Sequence, residues 1–376
     1  MDERIRIWFV STALPGKGGA ERVIYRLITE MDPQRFECVQ VLLYERGDIG
    51  RQLAELGVPT FSNLAQSRKS LKLPFKLRRL AKQSPPDVLF TTDNNISSFW
   101  CSAMRRLGMA KGYVLGFHMS PASLGRAARL SLGLAAKTAD KIVALAPAHQ
   151  KHWERLIGAS PDRFVTIPNG IDIERFHPPA NKAELRKQHG LPDDRPMVGV
   201  IAYLKPYKNI PLFIEVAHRV IKNGTPCHFA IVGDGPEQEM LQSDVRSRGI
   251  EEHFVFPGAV DDPAVWHQMC DVEMLTSIHT EAFPLTFLEA NACGTPGIGT
   301  DIGGVRDLVV DGETGYVVPS QDAEALTERL LELLNNPNKR AAMGAKARER
   351  AVENYSSGVM VKRYEELFAS VAQSSK

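Results

Sequence analysis

Long apolar runs are absent from the sequence: no stretch of 18 residues in its 376 is free of charged side chains. Because a helix needs about 20 mostly apolar residues to cross a bilayer, this pattern predicts a chain that does not span a membrane. Residues 1–6 also carry charges and no apolar stretch of signal-peptide length. We therefore expect a cytoplasmic protein, either free or peripheral on the inner face of the membrane.

Cysteine is scarce and scattered, and motifs typical of metal sites are missing. The five cysteines show no C-x-x-C spacing, which excludes a zinc ribbon or a thioredoxin-type redox motif. They are Cys38, Cys101, Cys227, Cys270 and Cys293. No D-x-D motif follows a predicted strand. We expect reduced thiols, no metal and no bound cofactor.

The net charge of +2 hides an asymmetry between the two halves of the chain. Residues 1–175 carry 26 basic and 16 acidic side chains, a net charge of +10. Residues 176–376 carry the other 20 basic and 28 acidic side chains, a net charge of −8. The basic half is expected to face an anionic partner.

Short apolar runs alternate with amphipathic helical patterns along the chain, which is typical of βαβ units on parallel sheets. The predicted strands are 5–10, 38–43, 88–91, 113–117 and 142–145, then 197–202, 229–232, 254–256, 272–275 and 296–298. Two such series, in a chain too long for one core, predict an α/β protein with two Rossmann-like doubly wound domains facing a central cleft.

The domain boundary is predicted within residues 169–192, where prolines cluster among polar residues and interrupt the periodicity. This gives domains over 1–175 and 190–355, followed by a C-terminal segment over 356–376. The last part of the chain reads as two helices, 322–335 and 361–371, with Pro337 breaking the pattern between them.

Residues 277–296 carry the most specific pattern: they follow a predicted strand and open a helix near Leu285. Glu281 lies in the preceding loop and Glu289 about one turn inside the helix, so both carboxylates border one small volume. A helix N-terminus attracts a diphosphate through its unpaired amides and its dipole. The amides in question belong to Phe283, Leu285 and Thr286. Taken alone, a loop glutamate and a capping carboxylate explain the same residues.

The pattern Glu281-x7-Glu289, followed by E-A-x-A-x-G-x-P, resembles the hallmark of glycosyltransferase family 4. Further segments match that family in order, namely Gly18-Gly19-Ala20-Glu21, 167–172, 231–236 and 311–315. The resemblance spans nearly the whole chain. It implies the GT-B fold, with the last helix returning to the N-terminal domain. It also implies retaining, metal-independent transfer of a sugar from a UDP- or GDP-type donor to a glycan or lipid-linked acceptor, in envelope polysaccharide or glycolipid synthesis.

The resemblance also implies roles for individual residues. Lys208, together with Lys205, is expected to neutralise the departing diphosphate, and Glu281 to hold the sugar near the reacting carbon. Glu289 is expected to hold the donor ribose, and His118, which ends a predicted strand, to contact the sugar or the acceptor. The remaining donor-site residues are Gly18, Gly19, Phe283, Pro284, Leu285 and Thr286. Solvated loop lysines and a structural histidine are the alternative interpretations.

Two positions depart from the family pattern: many relatives have Arg where Tyr203 stands, and commonly Glu where Asp307 stands. At the first position Lys205 would have to supply the charge, and because Lys lacks the bidentate fork of Arg, the grip on the diphosphate is in doubt. At the second, the shorter side chain of Asp307 puts any polar role there in doubt. A catalytically silent sugar-nucleotide-binding subunit therefore stays open. So do a nucleotide-sugar epimerase and a sugar phosphorylase, since fold does not fix function.

Residues 67–83 contain seven Lys or Arg side chains and no acid. Pro74 in a first turn predicts a helix whose apolar residues, including Phe75, are flanked by cations, as suits an anionic membrane surface. A surface helix whose apolar side belongs to the core is the alternative. Because Phe75 is the only aromatic for base stacking, we expect no nucleic-acid partner.

Overall fold

Parallel β-sheets organise the chain in the computed structural model, which describes residues 4–15, 19–67, 70–92, 95–120, 124–279 and 281–374. The described residues form two units. The first unit ends at Gly170 and also includes the residues from Ser357 onward, whereas the second unit runs from Ile171 to Ser356. The boundary thus lies within the predicted stretch 169–192, a few residues before the end predicted for the first domain at residue 175. The predicted fold class, two Rossmann-like α/β domains, is confirmed.

The first unit alternates strands and helices in chain order. Its elements are β1 (Ile5–Ser11), α1 (Gly19–Glu30), β2 (Phe36–Leu42), α2 (Gly47–Glu55), β3 (Thr60–Phe61), α3 (Leu73–Gln83), β4 (Val88–Thr92), α4 (Asn95–Arg106), β5 (Gly112–Gly116), α5 (Arg126–Ala136), β6 (Lys141–Ala144), α6 (Pro147–Ile157) and β7 (Phe164–Thr166). Within the described ranges its sheet has the order β3-β2-β1-β4-β5-β6-β7, with all neighbours parallel.

Both faces of this sheet are buried, because successive strand residues point to opposite sides. On β1, Trp8 and Val10 join one apolar core, whereas Ile7 and Phe9 join another. The second core also receives the last helix of the chain, which we number α15 (Ser357–Gln373). The ring of its Phe368 lies edge-on to that of Phe9, with centroids 6.2 Å apart. This aromatic packing fastens α15 to the first unit.

The second unit repeats the same alternation. Its elements are α7 (Lys182–Gln188), β8 (Met197–Ile201), α8 (Ile210–Lys222), β9 (His228–Val232), α9 (Gln238–Ser247), β10 (Phe254–Gly258), α10 (Pro263–Met269), β11 (Val272–Leu275), α11 (Leu285–Ala292), β12 (Gly297–Thr300), α12 (Val305–Leu308), β13 (Gly315–Val318), α13 (Ala323–Asn335) and α14 (Pro337–Tyr355). Its sheet, counted over the described residues, runs β10-β9-β8-β11-β12-β13 and is parallel throughout.

The structure corrects the sequence-based assignment at several places. Pro337 does not merely break a helix but begins α14, because its missing N–H costs nothing in a first turn. The proline-rich stretch between the domains contains α7, whose first turn is capped by the Asn181 side chain. Three short strands were not predicted, namely β3, β7 and β13.

Candidate functional site

The strand order of the second unit reverses between β8 and β11, which are neighbours at the centre of the sheet. In open parallel sheets, ligands bind outside the carboxyl ends of the strands at such a reversal. The chain that leaves β8 carries Lys205 and Lys208, and the chain that leaves β11 carries Ser277 and Glu281. The topology alone therefore directs these side chains to one edge of the sheet.

Lys208 and Glu281 form an ion pair at this edge. The Nζ atom of Lys208 donates to Oε1 of Glu281 at 2.7 Å, and the Ser277 hydroxyl donates to the same oxygen at 2.9 Å. The two paired side chains are only 14% and 17% exposed. The structure thus brings together two residues that the sequence proposed for one site, and it adds Ser277.

Hydrogen bonds to the backbone hold the two loops together. The Thr276 hydroxyl donates to the carbonyl of Lys208 at 3.0 Å, and the amide of Ile278 donates to the carbonyl of Tyr207 at 2.9 Å. The short 3₁₀ turn 206–208 ends at Asn209, which has the left-handed backbone φ of 51°. Lys208 is therefore positioned by its backbone as well as by its charge.

Gly303, in the loop after β12, packs closely against the backbone of Glu281. A Cβ atom at Gly303 would lie 2.0 Å from the carbonyl oxygen of Glu281, and its φ of +50° is left-handed. The next amide, that of Gly304, donates to the same oxygen at 2.8 Å. Because any side chain at Gly303 would displace this contact, the loop requires glycine here.

Lys205 is exposed, and its Nζ atom lies 4.8 Å from the centroid of the Tyr203 ring. The contact is a cation–π interaction. The ring of Tyr203, which stands where many relatives have Arg, therefore stabilises the position of Lys205. The loop that carries Lys205 is also held by the residues that follow β9. The amide of Leu204 donates to the carbonyl of Asp234 at 2.7 Å, and a Cβ atom at Gly233 would lie 1.9 Å from the carbonyl oxygen of Ala202.

Helix α11 begins at Leu285, as predicted, with Pro284 before it. The first amides of a helix, here including those of Leu285 and Thr286, have no partner inside it, and Pro284 has no polar side chain that could cap them. Phe283 is buried and packs on the ring of Tyr355, with centroids 5.4 Å apart. An apolar anchor therefore fixes the point at which the helix starts.

Glu289 does not join the Lys208–Glu281 pair. Its Oε2 atom accepts a hydrogen bond from Nε2 of His267 at 3.2 Å, and Nδ1 of the same ring donates to Oε1 of Glu273 at 2.6 Å. Burial acts to lower the pKa of His267, but the charges and hydrogen bonds of both carboxylates raise it to about 10. His267 is thus an imidazolium at neutral pH. Sequence reasoning missed it, although an acidic residue within the buried strand β11 was a signal.

The predicted residues of the first unit lie after its strands β1 and β5. Gly19 begins α1 directly after the segment that follows β1, whereas Gly18 lies outside the described residues. His118 follows β5, and both of its ring nitrogens are buried. Burial and the nearby His149 lower the pKa of His118 to about 4, against a hydrogen bond with Asn169 that acts to raise it. His118 is therefore neutral at pH 7.

Helix α3 has the buried apolar side that the structural alternative required, and docking of the basic segment on a membrane stays a prediction. Leu77 and Leu80 are buried in the core, as the structural alternative required. Leu71, just before the helix, is 87% exposed and Phe75 is 76% exposed. The outward face also carries exposed cations, namely Lys72, Lys76, Arg78, Arg79 and Lys82. Of the described helices, none has the length and apolarity needed to cross a membrane.

In the part of the chain that the structure describes, no three His, Cys, Asp or Glu residues are grouped so that they could hold a metal ion. The lack of a metal requirement stays a prediction. The cysteines are free in this part of the chain, and burial raises the pKa of their thiols.

Comparisons with known proteins identify the family of the chain. The family model described as Glycosyltransferase Family 4 matches residues 17–175, and that described as Glycosyl transferases group 1 matches residues 181–350. The GDP-mannose-dependent alpha-(1-6)-phosphatidylinositol monomannoside mannosyltransferase of Mycolicibacterium smegmatis is 30% identical over 262 residues, which cover 67% of this chain and 67% of that protein. The N-acetyl-alpha-D-glucosaminyl L-malate synthase of Bacillus anthracis is 29% identical over 211 residues, or 56% and 55% of the two chains.

Solved structures share the fold across nearly the whole chain. Anabaena Alr3699/HepE in complex with UDP superposes with a TM-score of 0.83 at 21% identity, covering 98% of this chain and 100% of that one. Sucrose-phosphate synthase from Thermosynechococcus elongatus gives a TM-score of 0.80 at 19% identity, covering 99% and 100%. At these identities the likeness establishes the fold alone.

Proposed function

This chain belongs to the group 1 glycosyltransferases of family 4, and from that premise we propose that it is a retaining, metal-independent hexosyltransferase. Its donor is a UDP- or GDP-linked sugar, and its acceptor is a lipid-linked molecule or a glycan of the cell envelope. A lipid-linked acceptor has support from a sequence relative named for phosphatidylinositol monomannoside. GDP-mannose appears in that relative's name, and Anabaena Alr3699/HepE has been solved in complex with UDP-glucose.

The observation that carries the proposal is the largely buried pair of Lys208 and Glu281 at the carboxyl edge of the central strands. An ammonium group has three N–H donors, and the bond to Glu281 uses one of them. We assign the others to oxygens of the donor diphosphate. Glu281 is assigned to the donor sugar, since its Oε1 atom already accepts two hydrogen bonds and holds the carboxylate in one orientation.

In the proposed reaction the bond between the anomeric carbon and the diphosphate oxygen breaks, and the acceptor oxygen bonds to the same face of that carbon. The acceptor proton passes to the departing phosphate oxygen. Negative charge grows on the leaving group, so fixed positive charge is worth most there. Lys208, Lys205 and the amides at the start of α11 supply it, and the reaction needs no carboxylate nucleophile. Gly18, Gly19 and His118 remain predicted contributors.

The acceptor side of the proposal rests on the first unit, whose α3 presents Phe75 among exposed cations. Each cation near an anionic bilayer contributes about 1 kcal/mol, and an exposed phenylalanine inserts into the interface. We propose that the enzyme works as a peripheral protein on the inner face of the membrane. That location would give it access to a lipid-linked acceptor.

A donor screen followed by product analysis tests the function. Thermal shifts are measured with GDP-mannose, UDP-glucose and ADP-glucose, since a donor at 100 times its Kd stabilises the protein by about 2.7 kcal/mol. Release of nucleoside diphosphate is then followed with phosphatidylinositol, inositol phosphate and octyl hexosides, with and without EDTA. Acceptor-dependent release with an axial product linkage by proton NMR is expected. Donor binding without any turnover would favour the silent subunit, and turnover to an epimerised donor would favour the epimerase.

A further inference from the structure

Three ionisable side chains from three different elements form a line of hydrogen bonds in the second unit. Glu273 on β11 accepts from His267 on α10 at 2.6 Å, and His267 donates in turn to Glu289 on α11 at 3.2 Å. The His267 side chain is fully buried and that of Glu273 is 2% exposed, whereas that of Glu289 is 11% exposed. The line therefore runs from the interior to a carboxylate that still reaches the surface.

The stability of the fold does not explain why these three ionisable side chains are placed together in the interior. Buried ion pairs are often matched or exceeded in stability by apolar residues of the same volume, because taking charges out of water is costly. Part of the surroundings is apolar: the ring of Phe176 lies edge-on to His267, with centroids 5.8 Å apart. What the line does achieve is to fix one oxygen of Glu289. A glutamate on a helix otherwise has free rotation about three bonds, and losing that freedom is unfavourable on binding.

We propose that His267, held in turn by Glu273, is a positioning residue that presents the Glu289 carboxylate to the hydroxyl groups of the donor ribose. The proposal rests on the proposed function, in which Glu289 holds that ribose, and it adds the means of holding. Both nitrogens of the imidazolium donate, so Oε2 of Glu289 is occupied and Oε1 is directed to the ligand. In metal sites a buried acid often orients a histidine. Here Glu273 orients His267 in that way, and His267 in turn orients a second carboxylate, that of Glu289.

The test compares ligands with and without the ribose hydroxyls. Dissociation constants of GDP and UDP, and of their 2′,3′-dideoxy forms, are measured by calorimetry for the wild type and for His267→Asn. Asparagine places an amide near the position of Nδ1, so it keeps the bond to Glu273 but does not reach Glu289. Hydrogen bonds to a charged group typically change affinity by about 10- to 100-fold, so the wild type should prefer the ribose form by roughly that factor. In His267→Asn the preference should fall below about 3-fold.

A merely structural role would weaken both ligands alike and leave the ratio unchanged, which would overturn the inference. Asp271→Asn is the matched control, because it disturbs another buried ion pair, with Arg186, that touches neither Glu289 nor His267. It should keep the wild-type ratio. If His267→Asn does not fold, Glu273→Gln replaces it: the amide still accepts from the imidazole but carries no charge, and the ratio should fall about 3-fold.

The outcomes separate the two levels of the proposal. A wild type that binds neither nucleotide overturns the proposed function itself. A wild type that binds GDP or UDP without preferring the ribose form overturns the role of Glu289, and with it that of His267. A wild type that does prefer it, beside a variant with the same preference, overturns the assignment of His267 alone.

Discussion

Lys208→Met removes one positive charge while keeping an unbranched apolar stem of similar length. A unit charge about 4 Å from a phosphate oxygen contributes about 4 kcal/mol at an effective dielectric constant of about 20. Only the part of this interaction that grows between the ground state and the transition state accelerates the reaction. We take this part as roughly 2–3 kcal/mol, so the variant should lose about 100-fold in kcat. The side chain is 14% exposed, which limits screening by solvent.

Stability should change much less than turnover in this variant. Glu281 keeps the hydrogen bond from Ser277, and its side chain is still 17% exposed, so we expect a loss of about 1 kcal/mol in the free energy of unfolding. The assay is nucleoside diphosphate release at saturating donor and acceptor, with Tm measured on the same sample. The control is Arg219→Met, which breaks an exposed ion pair with Glu215 on α8 and should leave kcat unchanged.

A kcat for Lys208→Met within about 3-fold of the wild type would refute the assignment. It would mean that the charge of Lys208 serves only to hold Glu281. Glu281→Gln then separates the two residues: the amide oxygen still accepts from Lys208, so a large loss of turnover in that variant reflects contact with the sugar and not collapse of the loop.

Three further predictions concern the membrane face, the glycine loop and pH. Arg78→Glu combined with Arg79→Glu should lower binding to anionic liposomes by at least about 10-fold in flotation, with little binding to neutral vesicles before or after. Gly303→Ala should cost about 1–3 kcal/mol and reduce kcat more than 10-fold, because the new Cβ atom displaces Glu281. The folded-state pKa of His118 is lowered from 6.5 to about 4, so unfolding takes up a proton in that window. The free energy of unfolding should therefore fall from pH 6.5 to 4, and less steeply in His118→Asn.

The first two of these predictions have matched control variants, and the third has a known residual contribution. Lys187→Glu with Lys222→Glu changes the net charge equally on exposed positions of the second unit and should leave liposome binding intact. Gly312 has a left-handed φ of +77°, but a Cβ atom there would meet nothing within 4 Å, so Gly312→Ala should lose stability and keep turnover. His149, whose pKa is also lowered to about 4, will leave a residual acid slope in His118→Asn. If the free energy of unfolding of His118→Asn fell with pH as steeply as that of the wild type, the burial assigned to His118 would be contradicted.

The sheets and the start of α11 were predictable because their signals are local. A parallel strand buried on both faces is a short, mostly apolar run, as in β4 and β8, and such runs can be recognised without knowing the neighbouring strand. The edge strand β3 was not predictable, since its two residues form a strand only by pairing with β2. The same holds for β13, which depends on its register with β12.

The amino-acid order was enough to establish the fold class and which residues leave the central strands at the carboxyl edge, among them Lys208 and Glu281. Their meeting at 2.7 Å follows from strand order, since β8 and β11 become neighbours only in the folded sheet. The partners of Glu289 emerged only from the packed molecule. His267 lies 22 residues from it and 6 from Glu273, across a helix, a strand and a second helix. No local period connects such positions, because only the packing of α10 against α11 and β11 brings their side chains within hydrogen-bonding distance.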